Sequence, residues 1–129
     1  MGKKRGFRLL KYTDDFVTHP AGDVIFREGD DGKHMYVVKS GTIELHVAGI
    51  VVETVEAGDI MGEMAMLDCE KRSATAVALT EVQLVPIDND KFQYLIRQTP
   101  YFAIEVMQIM AERLRHMNRQ TVISKRTSR

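Results

Sequence analysis

The chain has one cysteine, Cys69, no tryptophan and three prolines in 129 residues. A lone cysteine excludes an internal disulfide framework, so a reducing cytoplasm is the expected compartment. No apolar run approaches the roughly 20 residues of a membrane-crossing helix. The start, Met1 to Arg8, is basic, but no long apolar run follows it, which argues against a secretory signal. Net charge is also absent, at 18 basic and 18 acidic residues. His19, His34, His46 and His116 are scattered, with no His-x-His pair. That disfavours a metal-dependent barrel enzyme, which needs clustered ligands. The expectation is no catalysis and no metal. The eight methionines read as adaptable core filler.

The composition that is present describes one domain. Hydrophobic residues make up 44% and charged residues 28% of the chain. These are ordinary values, and the length suits a single core. Charge is unevenly placed. Residues 1–11 hold Lys3, Lys4, Arg5, Arg8 and Lys11 with no acid. Residues 113–129 hold Arg113, Arg115, Arg119, Lys125, Arg126 and Arg129 with no acid. Such ends either touch an acidic partner or are solvated and fraying; without a nucleic-acid motif the second reading is preferred. We divide the chain into a basic arm (1–12), a folded domain (13–119) and a basic tail (120–129).

The middle reads as strands. Val24 to Arg27 is a short apolar run closed by the turn signal Glu28-Gly29-Asp30-Asp31-Gly32. Met35 to Lys39 follows. Thr42 to Val47 alternates, with Ile43, Leu45 and Val47 on one face. Ile50 to Val55, Ser73 to Leu79 and Val82 to Ile87 complete the set. Short strands separated by glycine turns predict a small sandwich or barrel.

The last third changes period. Asp88 or Asn89 is a candidate cap for a helix carrying Phe92, Leu95 and Ile96. Thr99-Pro100 starts another helix, expected to run to about Arg119. Ala103, Met107, Met110, Leu114 and Met117 form an a/d seam. Phe102, Val106 and Ile109 widen it. This breadth suits either one broad core face or two contacts, one on the barrel and one on a twin helix in a homodimer.

The interruption between Val55 and Ser73 carries the chemistry. Gly62 precedes a short run of helix formers, Glu63 to Leu67. A helix start there presents unpaired N–H groups and the positive dipole end, which suit an anion. Arg72 follows nine residues after Glu63, close enough to fold back onto the same anion, and Ser73 adds a hydroxyl. A fork-shaped cation, amides and a hydroxyl suit a phosphate. Glu63 would repel a bare phosphate but suits a ligand that also carries hydroxyls, because an ionised carboxylate is a pure acceptor. Taken singly, Glu63 is equally a helix-start acid and Arg72 a surface charge; their joint spacing favours a site.

Gly62-Glu63-Met64-Ala65-Met66-Leu67 followed by Arg72-Ser73-Ala74-Thr75 resembles the phosphate-binding cassette of the cyclic-nucleotide-binding domain family. The resemblance runs from about Thr18 to Arg119. It includes Ala21 to Phe26, Glu28-Gly29-Asp30, Met35 to Val38 with Gly41, and Gly58-Asp59. It implies a mainly β fold with flanking helices. That fold is an eight-stranded β-roll, jelly-roll-like, with an N-terminal helical segment, a short cassette helix and long C-terminal helices. It implies binding of cAMP or cGMP as a ligand, without catalysis, in a sensor signalling through its last helix.

By the same resemblance Glu63 accepts from the ribose 2′-hydroxyl and Arg72 neutralises the phosphate. Ser73 contacts phosphate, and backbone amides of Gly62, Met64, Ala65 and Ala74 make lesser contacts. Leu45 and Val55 pack near sugar and base. The final helix reaches the purine near Met117 and Asn118; an asparagine amide can bond adenine N6 and N7 together, which would favour cAMP. Two departures stand out: Lys71 precedes the arginine where many relatives have proline, and the N-terminal helical segment is shortened or altered before Thr13. A transcription regulator of the catabolite-activator type is an alternative, this chain then being a fragment of it. Residues 120–129 cannot form a helix-turn-helix, so sequence-specific DNA binding is not expected from this chain alone. A further alternative is a member that has lost its nucleotide. The effector is not named by the sequence.

Overall fold

The computed structural model describes Phe7 and residues 9–127. Met1 to Gly6, Arg8, Ser128 and Arg129 lie outside the described residues, so the expected basic arm falls largely outside them. The elements are α1 (Leu9–Tyr12), β1 (Val17–His19), β2 (Val24–Phe26), β3 (His34–Ser40), β4 (Thr42–Val47), β5 (Ile50–Glu56), β6 (Ile60–Met61), α2 (Glu63–Asp68), β7 (Thr75–Ala78), β8 (Val82–Asp88), α3 (Asn89–Gln98) and α4 (Tyr101–Thr127). The strands form two four-stranded antiparallel sheets, ordered β1-β8-β3-β6 and β2-β7-β4-β5.

Strand alternation builds two cores back to back. Successive side chains on a strand point to opposite faces. On β8, Val82 and Leu84 enter the core between the sheets, while Val85 and Ile87 turn outward to meet the helices. On β3, Val38 faces inward and Met35 and Val37 face the helices. The first sheet is thus apolar on both faces and binds the second sheet and the helical layer together. Burying each such side chain stabilises the fold by about 1.5–3 kcal/mol.

Two strands escaped the pattern reading. β1 has three residues, mostly exposed, and β6 has two, too short for alternation to register. α1 is a single turn of four residues, and the segment expected to be shortened or altered before Thr13 lies largely outside the described residues. Asp88 caps α3: its carboxylate accepts from the Lys91 N–H at 2.8 Å. Thr99 ends α3, its N–H donating to Leu95 O at 2.7 Å, and its carbonyl then accepts from the Phe102 N–H at 2.8 Å.

α4 separates the two apolar stripes read from its sequence. Phe102, Val106 and Ile109 are each 2% exposed, packed with Met35, Val37, Val85 and Ile87. Of the a/d seam, Met107, Leu114 and Met117 lie on the other face at 58–61% exposed, Ala103 is half-buried, and Met110 packs in part against the same core. The helix continues past Arg119 to Thr127, because no glycine or proline in its span stops it. Among the described residues no helix is long and apolar enough to cross a membrane, and no cluster of side chains is fit to hold a metal ion.

Candidate functional site

The segment between β6 and β7 folds back on itself, as its length allows. Gly62 stands at the N-cap of α2 with φ +77°, a left-handed conformation that favours glycine, and no side chain caps the helix. A Cβ there would sit 2.5 Å from Arg72 Nη1, so the position also keeps space for the guanidinium. Gly32, in the β2–β3 turn, serves the same end from the other side. A Cβ on it would lie 2.3 Å from the Ala65 Cβ and 3.0 Å from Arg72 Nε. The Arg72 backbone is pinned to that turn, its N–H donating to Asp30 O at 2.7 Å and its carbonyl accepting from the Gly29 N–H at 2.9 Å.

The Arg72 side chain is 5% exposed. Its Nη1 donates to Gly62 O at 3.0 Å and its Nη2 to His34 O at 2.7 Å. The guanidinium lies 4.1 Å from the Phe26 ring centre, in cation–π range. Phe26 in turn stacks on Tyr36. Arg72 Nε is buried with no partner. Among the described residues no carboxylate makes an ion pair with it. Burial pulls the guanidinium below its ordinary pKa, while Tyr36, Asp30 and Glu63 draw it back up. An arginine stays charged nonetheless. The result is a buried cation bonded only to neutral carbonyls, with one donor unmet. Such an arrangement is costly without an anion.

Glu63 opens α2 and is 6% exposed. Both of its carboxylate oxygens accept from Arg113 Nη1 at 3.2 Å. Arg113 reaches down from α4, donating through Nε to Glu53 Oε2 at 2.9 Å and through Nη2 to the Ile60 carbonyl. One side chain therefore ties α4 to β5, β6 and α2. Sequence reasoning missed it. The signal was present, because Phe102, Val106 and Ile109 recur at intervals of four and three and the next position on that buried stripe is Arg113. A charge on an apolar stripe needs a partner.

The remaining expected residues are spread around this centre. Met64 is exposed and Ala65 buried on α2; Ser73 is exposed and Ala74 half-buried just before β7. Leu45 is half-buried against the inter-sheet core, and Val55 lies wholly inside that core. Asn118 is exposed on α4, five residues beyond Arg113. Cys69 is exposed and closes α2 with φ +60°. A cavity of about 430 Å³ borders the site through Gly32 and Ala65 and is otherwise lined by Lys33, Asp31, Glu70, Asp88 and Asp90 among others, but not by Glu63, Arg72 or Arg113. Four carboxylates against one lysine on its wall disfavour a phosphate there.

Comparison with known proteins agrees with the fold. The family model described as the cyclic nucleotide-binding domain matches residues 16–99. The cyclic AMP receptor protein of Thermus thermophilus is 35% identical over 102 residues, covering 75% of this chain and 47% of that protein. The cAMP-dependent protein kinase regulatory subunit of Emericella nidulans is 37% identical over 84 residues, covering 64% of this chain and 20% of that one. The chain therefore spans half or less of the length of these relatives. The crystal structure of the Thermus thermophilus catabolite activator protein superimposes with a TM-score of 0.76 at 31% identity, covering 90% of this chain and 56% of that one. With its two-sheet roll, its cassette between β6 and β7 and its family match over most of the folded part, the chain belongs to the cyclic nucleotide-binding domain family.

Proposed function

We propose that the chain binds a cyclic mononucleotide, cAMP in preference to cGMP, as a non-catalytic cytoplasmic sensor that signals through α4. The observation that carries this reading is the buried Arg72 guanidinium with its orphaned Nε. The exocyclic phosphate supplies the missing anion, with the amides of Gly62, Met64, Ala65 and Ala74 and the Ser73 hydroxyl as further donors. Glu63 accepts the ribose 2′-hydroxyl; an ionised carboxylate has lone pairs to spare beyond its contact with Arg113. Leu45 and Val55 pack behind sugar and base, and Asn118 offers its amide to adenine.

Ligand at Glu63 touches the residue that Arg113 holds, so binding and α4 position are linked. The ligand shifts that position only by its differential affinity for the two states. The exposed seam of Met107, Leu114 and Met117 fits a second copy of α4. We expect a homodimer in sedimentation at micromolar concentration that Leu114→Glu converts to monomer; an unchanged dimer would place the interface elsewhere. The downstream effector stays unassigned. A second reading, the same domain within a longer transcription regulator, is favoured by the 47% coverage of the Thermus receptor protein.

The ribose contact gives the test. Wild type should bind cAMP more tightly than 2′-deoxy-cAMP by about 10- to 150-fold, the worth of a hydrogen bond to a charged acceptor. Glu63→Ala should bind both alike. Calorimetry that finds no preference in wild type would remove Glu63 from the ribose site.

A further inference from the structure

Arginine and a carboxylate ordinarily meet fork to fork, with two parallel N–H···O bonds. Arg113 and Glu63 do not. One nitrogen, Nη1, faces both Glu63 oxygens at 3.2 Å, a bifurcated and long contact. The other two nitrogens are engaged elsewhere. Nε is drawn to Glu53 Oε2 at 2.9 Å, shorter than either bond to Glu63, and Nη2 is held by the Ile60 carbonyl.

We propose that Glu53 is a positioning residue: by holding Arg113 Nε while the Ile60 carbonyl holds Nη2, it stops the guanidinium from turning its Nε/Nη2 edge into a full fork on Glu63 and leaves the Glu63 carboxylate open to a ligand hydroxyl. This rests on the reading of Glu63 as the ribose acceptor. Glu53 lies in the middle of β5, paired opposite Leu45 of β4, so a strand fixes where its carboxylate meets Arg113. Its side chain is 38% exposed, against 8% for Glu63, so a bond to it is a weak way to secure the helix.

Burial pushes the Glu53 carboxyl above the ordinary carboxylate range; Arg113 pulls it down, and Asp59 and Glu63 push it further up. Its contact with Arg113 Nε fixes the orientation of the guanidinium.

The test uses two measurements on the whole chain. In the nucleotide-free protein, NMR should show the Arg113 Nε–H exchanging slowly and shifted by its bond to Glu53. In Glu53→Met, which has the same length but no oxygen to accept from Nε, that resonance should move to the position of an arginine forked on Glu63. In calorimetry, the ratio of cAMP to 2′-deoxy-cAMP affinity should fall by about tenfold in Glu53→Met, since most of the hydroxyl's contribution is lost. In an Arg113→Gln background the same substitution should leave the ratio unchanged. An unmoved Nε–H resonance in Glu53→Met would overturn the proposal. So would an affinity ratio that falls equally without Arg113, because Glu53 would then touch the nucleotide itself. A wild type that binds neither nucleotide, with the resonance still moving as expected, would sink the ribose reading while leaving Glu53 as the residue that sets Arg113.

Discussion

Replacing Arg72 with alanine should weaken cAMP binding by about 2–5 kcal/mol, or roughly 30-fold to several thousand-fold, because the phosphate is left in the pocket without its cation. The side chain also satisfies two backbone carbonyls, Gly62 O and His34 O. Removing it leaves buried acceptors unmet, each costing about 1–3 kcal/mol unless water enters. A fall in melting temperature is therefore expected alongside the loss of affinity. Arg72→Lys separates the two effects. The ammonium keeps the charge but cannot reach both carbonyls and the phosphate with one planar group. It should restore part of the binding and little of the stability. Calorimetry and thermal melting of both variants check this; full cAMP affinity in a folded Arg72→Ala protein would refute the role.

Loss of Arg113 should be the largest perturbation of α4. Its removal leaves the buried Glu63 carboxylate without its Nη1 donor and frees the Ile60 carbonyl. Stripping one member from a buried pair costs about 3–5 kcal/mol, and the partial exposure of Arg113 and Glu53 reduces that to about 2–3 kcal/mol here. Arg113→Ala should lower the urea midpoint accordingly. Backbone amides beyond Met110 should lose hydrogen-exchange protection, while β3 and β8 retain theirs. The double variant Arg113→Met with Glu63→Gln should recover most of the stability, since a neutral pair carries no stranded charge. A double variant as unstable as Arg113→Ala would mean that α4 packing, rather than the ion pair, had been lost.

The residues differ in how much of this was legible in the sequence. The long strands were, because Ile43, Leu45 and Val47 alternate and the turns after Val24–Phe26 and β5 are marked by glycine. The seam and the core stripe of α4 were both visible, yet the sequence could not say which would face the roll. Packing against Val85 and Ile87 decided it in favour of Phe102, Val106 and Ile109. Arg72 and Glu63 stood out because an anion site and a hydroxyl acceptor are local in the chain. Arg113 and Glu53 did not, since their meeting depends on bringing α4, β5 and α2 together across fifty or more residues. Nor did the inward aim of Arg72 at two carbonyls, which comes from the Gly32 and Gly62 surfaces that enclose it. The ends resisted for another reason: a charge run without periodicity specifies no partner.

On the proposed function, the buried Arg72 guanidinium beside the start of α2 takes the cyclic phosphate of the nucleotide. Calorimetric titration of the wild-type chain with cAMP, cGMP and a cyclic dinucleotide tests it most directly. The account predicts saturable binding of one equivalent of cAMP per chain, weaker binding of cGMP, and loss of both in Arg72→Ala. No binding of any of the three up to millimolar concentration, in a folded protein, would contradict it and mark the chain as a scaffold that has given up its ligand.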